Sequence, residues 1–282
     1  MIKLSYNTNG LRNMPLERAI AALAEFKYDG IELSLHESHL HPLKASRDDL
    51  IRIKEVFKVN GIKPICLATG ADKLLSHESY EPSLVTSDKE GRKKRIDFIR
   101  TSIEVAKFLD IPVVNFASGI LRTKVDSRKI PRDYLLEGIQ ACLKDIGDVV
   151  LAIEPEPGFF IETTTQAISL IQEINSPHFM LNMDLGHVNC CEDDFLEAIE
   201  RSLPYTRHIH IEDIRQRIHH HEIPGEGDID FEAVFNRLEG YLYYISVELY
   251  HHSDVWEKAL KESRDYLLSK MDRLVSVESL RA

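Results

Sequence analysis

The chain of 282 residues has little of what staples or anchors a fold other than a core. Its four cysteines, Cys66, Cys142, Cys190 and Cys191, nowhere show the Cys-x-x-Cys spacing of a metal or redox site. The neighbours Cys190 and Cys191 are poorly placed to bridge each other, so reduced thiols in a cytosolic protein are expected. No apolar run approaches the roughly 18 residues of a membrane helix. The segment Met1-Ile2-Lys3-Leu4-Ser5-Tyr6 enters a strand directly, without an apolar signal-peptide core. A cytoplasmic location and no membrane partner are therefore expected. Basic residues are in deficit, 35 against 46 acidic ones, for a formal net charge of −11. Repulsion makes such a chain a poor binder of DNA or anionic membrane, so no nucleic-acid partner is expected. That balance still permits a local basic pocket for a phosphorylated small molecule. Long Gly/Ser/Pro linkers, low-complexity tracts and breaks in composition are absent too, which favours one domain over two.

What is present is an alternation of strand and helix that can be counted eight times. Strands are expected at 2–6, 30–35, 63–68, 112–116, 149–154, 179–184, 207–211 and 244–249. Several are continuous apolar runs, the pattern of parallel strands covered on both faces. Pro15 opens the first helix, and Leu16, Ile20, Leu23 and Phe26 give it one apolar face. Further helices are expected at 47–60, with Gly61 as its stop, and at 87–109, 131–146, 163–174, 192–202, 231–238 and 253–270. An open doubly wound sheet uses the same alphabet. Eight units and no Gly-rich phosphate loop after the first strand favour an α/β fold of the (β/α)₈ TIM-barrel class. A single barrel domain over residues 1–270 is expected, with 271–282 as a tail or an added helix.

Four successive apolar runs end in a residue able to bind a divalent cation: Glu154, Asp184, His210 and Glu248. Active sites of such barrels form at the C-terminal ends of the strands, so four such endings in order suggest one shared centre. Three carboxylates and one imidazole make an oxygen-rich, fairly hard donor set. It suits Mn²⁺ first, then Mg²⁺ or Co²⁺, with Zn²⁺ also compatible.

The chain resembles the xylose-isomerase-like TIM-barrel superfamily, which includes the sugar phosphate isomerases and epimerases. The marks are Tyr28-Asp29-Gly30-Ile31-Glu32-Leu33, Ile153-Glu154-Pro155, Asp184-Leu185-Gly186-His187, His210-Ile211-Glu212-Asp213 and Pro224-Gly225-Glu226-Gly227-Asp228-Ile229-Asp230. The resemblance places the family's metal ligands on the same four residues and implies that His187 contacts substrate and polarises an oxygen. It also implies that Glu212 and Asp213 orient His210 or bond a neighbouring loop. The nuclease branch of the family carries ligands for extra zinc ions near His219-His220-His221, so His219 and His221 could hold a second metal. Where that branch has a zinc-binding histidine after the fourth strand, this chain has Ala117.

Other strand-end residues stay open at the level of sequence. Glu156 shares parity with Glu154, and Glu154 is preferred because it ends the apolar run. His208 shares parity with His210 and is expected inside the barrel. Asn7, His36 and Asn115 could reach substrate hydroxyls, and His221 is expected to contact substrate. Trp256, Phe159 and Phe160 could wall the cavity. Lys73, Arg122, Lys124 and Arg215 fall in candidate mouth loops without forming a phosphate signature.

These residues imply a divalent-metal-dependent isomerase or epimerase of a sugar, sugar phosphate or related polyol ketone. The reaction would abstract a proton next to a carbonyl and stabilise the enediolate, with Glu154 and Glu248 as the bases. The alternatives are a lyase of inosose or dehydroshikimate dehydratase type and, further off, a metal-dependent phosphodiesterase or abasic endonuclease. A small carbohydrate-like substrate and a homo-oligomer are the expected partners.

Overall fold

Each apolar run becomes one stave of a closed barrel. The computed structural model describes residues 2–70, 73–122 and 127–279. Strands β1 (Lys3–Asn7), β2 (Gly30–Ser34), β3 (Lys63–Ala68), β4 (Val113–Ala117), β5 (Val150–Glu154), β6 (Phe179–Asp184) and β7 (Thr206–Ile211) run parallel. After a two-stranded antiparallel ribbon, β8 (Asp213–Arg215) and β9 (Ile218–Glu222), the last stave β10 (Tyr244–Val247) closes onto β1. The fold is a TIM barrel, as the eight-unit count predicts.

Alternation along each stave sorts its side chains. Ile31, Leu33, Leu151, Ile153, Leu181, Met183, Ile209, Ile245 and Val247 are fully buried in the apolar core. Burying each such side chain contributes about 1.5–3 kcal/mol. The opposite parity fills the barrel interior with polar residues that bond one another: Ser5 to Ser246 and Asn182 to His210 between neighbouring staves, and Glu32 to His208 across the barrel. A barrel interior is a packed core, and polar groups are tolerated there only when paired.

Around the staves lie α1 (Leu16–Glu25), α2 (Arg47–Asn60), α3 (Lys89–Phe108), α4 (Lys129–Leu143), α5 (Thr164–Ile174), α6 (Leu185–Cys191), α7 (Phe195–Ser202), α8 (Phe231–Arg237) and α9 (Trp256–Ser279). The helix expected at 192–202 is α7, and an additional helix, α6, precedes it directly at the end of β6. The expected boundary near residue 270 falls inside α9, whose last turns are residues 271–279. None of the helices searched is long and apolar enough to cross a membrane. All four cysteines are free thiols.

Candidate metal centre and active site

The four strand endings meet. One ligating atom each from Glu154, Asp184, His210 and Glu248 lies within 4.8 Å of the other three. Register explains the convergence. His210 pairs with Asp184 on one side and with Ser246, two residues before Glu248, on the other. His210 Nδ1 lies 2.9 Å from Glu154 Oε1, 3.4 Å from Glu248 Oε2 and 3.6 Å from Asp184 Oδ2.

The other face of that imidazole carries a residue to which sequence reasoning assigns no role. Glu32, fully buried on β2, accepts from His210 Nε2 at 2.9 Å and from His208 Nε2 at 2.9 Å. Glu32 therefore fixes the His210 ring with Nδ1 towards the three carboxylates, the arrangement common for metal-binding imidazoles. Glu212 and Asp213 do not perform this task. Asp213 accepts from the amides of Ile214, Gly225 and Ile229 and so ties down the loop after the ribbon.

Neighbouring groups divide the labour of each carboxylate. Asp184 Oδ1 caps α6 by accepting the His187 amide at 2.7 Å, while its buried Oδ2 has no hydrogen-bond partner among the described residues. Glu248 Oε1 accepts from the side-chain amides of Asn7 and Asn9, both at 2.9 Å, and Oε2 is the atom nearer His210. Asn115 Nδ2 lies 3.5 Å from Glu154 Oε2 and 3.3 Å from Glu32 Oε1. An unpartnered, buried carboxylate oxygen among three carboxylates is costly without a cation. The donor set fits a divalent ion of hard or borderline character.

The electrostatics agree. Burial would lower the basicity of His210, but Glu32, Glu248 and Glu154 raise its pKa well above the usual imidazole range. A bound dication would take the place of that proton. Burial pushes Glu154 up to about 7. Asp184 and Glu248 resist the same burial: His187 chiefly holds Asp184 well below its ordinary value, and His210 chiefly lowers Glu248.

Above this centre the β8–β9 ribbon brings His219 and His221 to His187. His187 Nδ1 lies 2.9 Å from the Pro155 carbonyl, and His221 Nδ1 lies 2.9 Å from the Glu248 carbonyl. A carbonyl only accepts, so both Nδ1 atoms carry the hydrogen and both Nε2 lone pairs face inward. His219 Nε2 sits between them, at 3.0 Å and 3.3 Å. Burial lowers the His187 pKa to about 4. The neutral ring thus presents Nε2 to the cavity as an acceptor. The run 218–222 is a strand of the ribbon, not a free loop.

These groups line one cavity of about 340 Å³ at the strand ends. Its walls include Glu154, Glu156, Glu248, His187, His219, His221, His36 and Asn115, with Ala117 where β4 ends. Asn9 lines it as well, whereas Asn7 stands behind Glu248. Of the aromatic candidates Phe159 is in the wall. Trp256 instead packs on Phe26, 6.1 Å between ring centres. The phosphate candidates among the described residues do not gather at the cavity. Lys73 is exposed, Arg122 pairs with Glu78 and Glu81, Arg215 donates to the Glu226 carbonyl, and Lys124 lies outside the described residues.

Close packing beside the centre demands one glycine. A methyl group on Gly186 would collide with the buried carboxyl of Glu212, whose two oxygens have no hydrogen-bond partner among the described residues. Burial raises the Glu212 pKa well above its ordinary value.

A family model described as xylose isomerase-like TIM barrel matches residues 20–270. Among curated proteins, the chain is 22% identical over 258 residues to the L-ribulose-5-phosphate 3-epimerase UlaE of Escherichia coli O157:H7 (strain EC4115 / EHEC), covering 89% of this chain and 88% of that protein. Among solved structures, the 3-keto-D-glucoside 4-epimerase YcjR from E. coli superposes with a TM-score of 0.79 at 18% identity, over 95% of this chain and 100% of that one. The IOLI protein, solved with a bound zinc atom, gives 0.78 at 20% identity, over 96% and 99%. At these identities the superpositions speak for the fold.

Proposed function

We propose, for a chain that belongs to the xylose isomerase-like TIM-barrel family, that it is a divalent-metal-dependent epimerase or isomerase of a sugar, sugar phosphate or related polyol ketone. The observation that carries this reading is the convergence of Glu154, at the end of β5, and Glu248, just past β10, on one cavity. Strands β6 and β7 stand between them in the barrel. Carboxylates reaching a substrate from separate strands are placed to work on opposite faces of one carbon. Epimerisation needs this: one base removes the proton and a second acid returns it from the other side. The epimerases named among the relatives support the same class.

Glu154, Asp184, His210 through Nδ1, and Glu248 would hold the cation, with Mn²⁺ the first choice. When bound, it supplies a Lewis acid for the negative charge that develops on the substrate's oxygens. The chain's own residues do the rest. Glu154 and Glu248 move the proton. The Asn7 and Asn9 amides hold Glu248 by Oε1 and leave Oε2 to face the cavity centre. The Nε2 lone pairs of His187 and His221 accept from substrate hydroxyls, and Asn115 donates from the floor. Asn7 acts on the substrate through Glu248.

The test is solvent exchange. With Mn²⁺ in deuterated water, a ketose substrate should gain deuterium at the carbon next to the carbonyl, read by NMR. Product formed without exchange under any condition would sink the reading. An absorbing enone would mark the lyase alternative instead.

In a second reading, supported by the closeness of the three Nε2 atoms, His187, His219 and His221 would hold a second and weaker ion of borderline character in place of substrate hydroxyls. Zinc titration of the apo-protein should then reach two equivalents, and His219→Ala should return it to one. A stoichiometry of one in the unaltered protein would refute the second site.

A further inference from the structure

The wall of the cavity beside Glu154 holds a constellation that the proton-transfer reading does not use. Glu156 is 8% exposed and faces the cavity. It comes so close that one ligating atom each of Glu154, Glu156 and His187 lies within 4.8 Å of the others. The Tyr80 hydroxyl donates to Glu156 Oε1 at 3.1 Å, and Oε2 has no hydrogen-bond partner among the described residues. The Tyr80 ring meets Phe159 edge-on, 4.7 Å between centres.

The arrangement is built rather than incidental. The Glu156 amide donates to the Ile161 carbonyl at 3.1 Å, and the Phe159 amide returns to the Glu156 carbonyl at 3.0 Å. The Phe160 amide donates to the Gly119 carbonyl at 2.9 Å and ties the loop to the end of β4. Gly158 adopts a φ of 79°, a left-handed turn that carries Phe159 back to the cavity. Two loops from different staves are thus held against each other at one polar pair and one aromatic contact.

We propose that Tyr80, Glu156 and Phe159 form a subsite for an uncharged, hydroxyl-bearing part of the substrate, and that this subsite selects against a phosphate there. The inference rests on the sugar reading above. The Glu156 oxygen left free hydrogen-bonds to a sugar hydroxyl, and the Tyr80 hydroxyl fixes the other oxygen. Phe159 offers an apolar surface to the C–H edges of the same sugar. A phosphate dianion brings no hydrogen to donate and would carry its charge into a buried acidic wall, where burial and the neighbouring Glu154 and Glu248 already raise the Glu156 pKa well above its ordinary value. Like charges in one partly desolvated cavity repel strongly. Arg12 is the guanidinium in the lining of the described cavity, and it donates to the Tyr250 carbonyl at 3.0 Å. The chain would in this respect part from its ribulose-phosphate relatives.

Unreactive ligands separate this subsite from the proton chemistry. Ribitol and D-mannitol lack a carbonyl, and each can be compared with its terminal phosphate by calorimetry on the Mn²⁺-loaded protein. The free alditol should bind at least about tenfold more tightly than its phosphate. Glu156→Gln should weaken alditol binding by about tenfold and narrow that ratio, while Mn²⁺ affinity stays within about threefold. Tyr80→Phe should weaken it by less and serves where the glutamine variant fails to fold. Tighter binding of the phosphate, no binding of either alditol, or unchanged alditol affinity in both variants would overturn the proposal. So would a loss of Mn²⁺ affinity in Glu156→Gln, which would make Glu156 a metal ligand. Loss of deuterium exchange with alditol binding intact would refute the epimerase reading and leave the subsite standing.

Discussion

Glu154→Gln and Glu248→Gln should each lower turnover by about 10²–10⁴-fold, the contribution of a positioned acid or base. Loss of metal affinity should add to this, because each change removes one of three carboxylates facing His210 Nδ1. The two variants should also differ in kind. If the glutamates serve opposite faces of the substrate, each variant should lose solvent exchange from one epimer more than from the other, and the preference should swap between them. Mn²⁺ titration of the apo-proteins isolates the metal contribution, and exchange of each epimer at saturating Mn²⁺ isolates the base. Unchanged activity in both variants would sink the assignment. The Glu248 variant carries a further consequence. Its Oε1 takes two amide donors from Asn7 and Asn9. A glutamine oxygen can keep both only by turning its own amide group towards the centre, where a lone pair is wanted.

These two glutamates were legible in the sequence for a physical reason. A stave of a parallel barrel is an apolar run, and its C-terminal end opens onto the mouth. A charged residue closing such a run is therefore conspicuous. Glu154, Asp184, His210 and Glu248 all announce themselves in this way, and so does the count of eight units. Glu32 does not, because it stands in the middle of Gly30–Ser34, where it reads as one acid in an apolar strand. Its partners His208 and His210 lie 176 and 178 residues away. The β8–β9 ribbon was hidden for a different reason. Its turn residues Gln216 and Arg217 have φ values of 54° and 58°, a conformation usually left to Asn or Gly. Three consecutive histidines also show no alternation from which a strand could be read. The start of α6 was masked by Gly186, placed where the Glu212 carboxyl leaves no room for a side chain. Tyr80 and Glu156 meet across 76 residues, and neither carries a local signal of the other.

Glu32 should prove as consequential for the cation as the residues that face it directly. Its two oxygens accept from His208 and His210 together, which only a carboxylate can do. Glu32→Gln offers one accepting oxygen and one donating amide. Where the amide faces His210 Nε2, the ring hydrogen must move to Nδ1, and the lone pair aimed at Glu154, Asp184 and Glu248 is lost. Metal affinity should then fall by about 10–100-fold, the usual cost of altering a group that orients a metal-binding imidazole. Glu32→Ala should cost about 3–5 kcal/mol of stability as well, since it strands two buried imidazoles beside a cavity. Mn²⁺ titration followed by electron paramagnetic resonance reads the affinity without reference to activity, and melting of the apo-protein reads the fold. A purely structural role predicts a lower apo Tm with unaltered Mn²⁺ affinity. A role through His210 predicts weaker Mn²⁺ binding in Glu32→Gln even where its apo Tm is preserved. The second pattern is expected, because the hydrogen bond from His210 Nε2 is the contact that decides which of its nitrogens faces the centre.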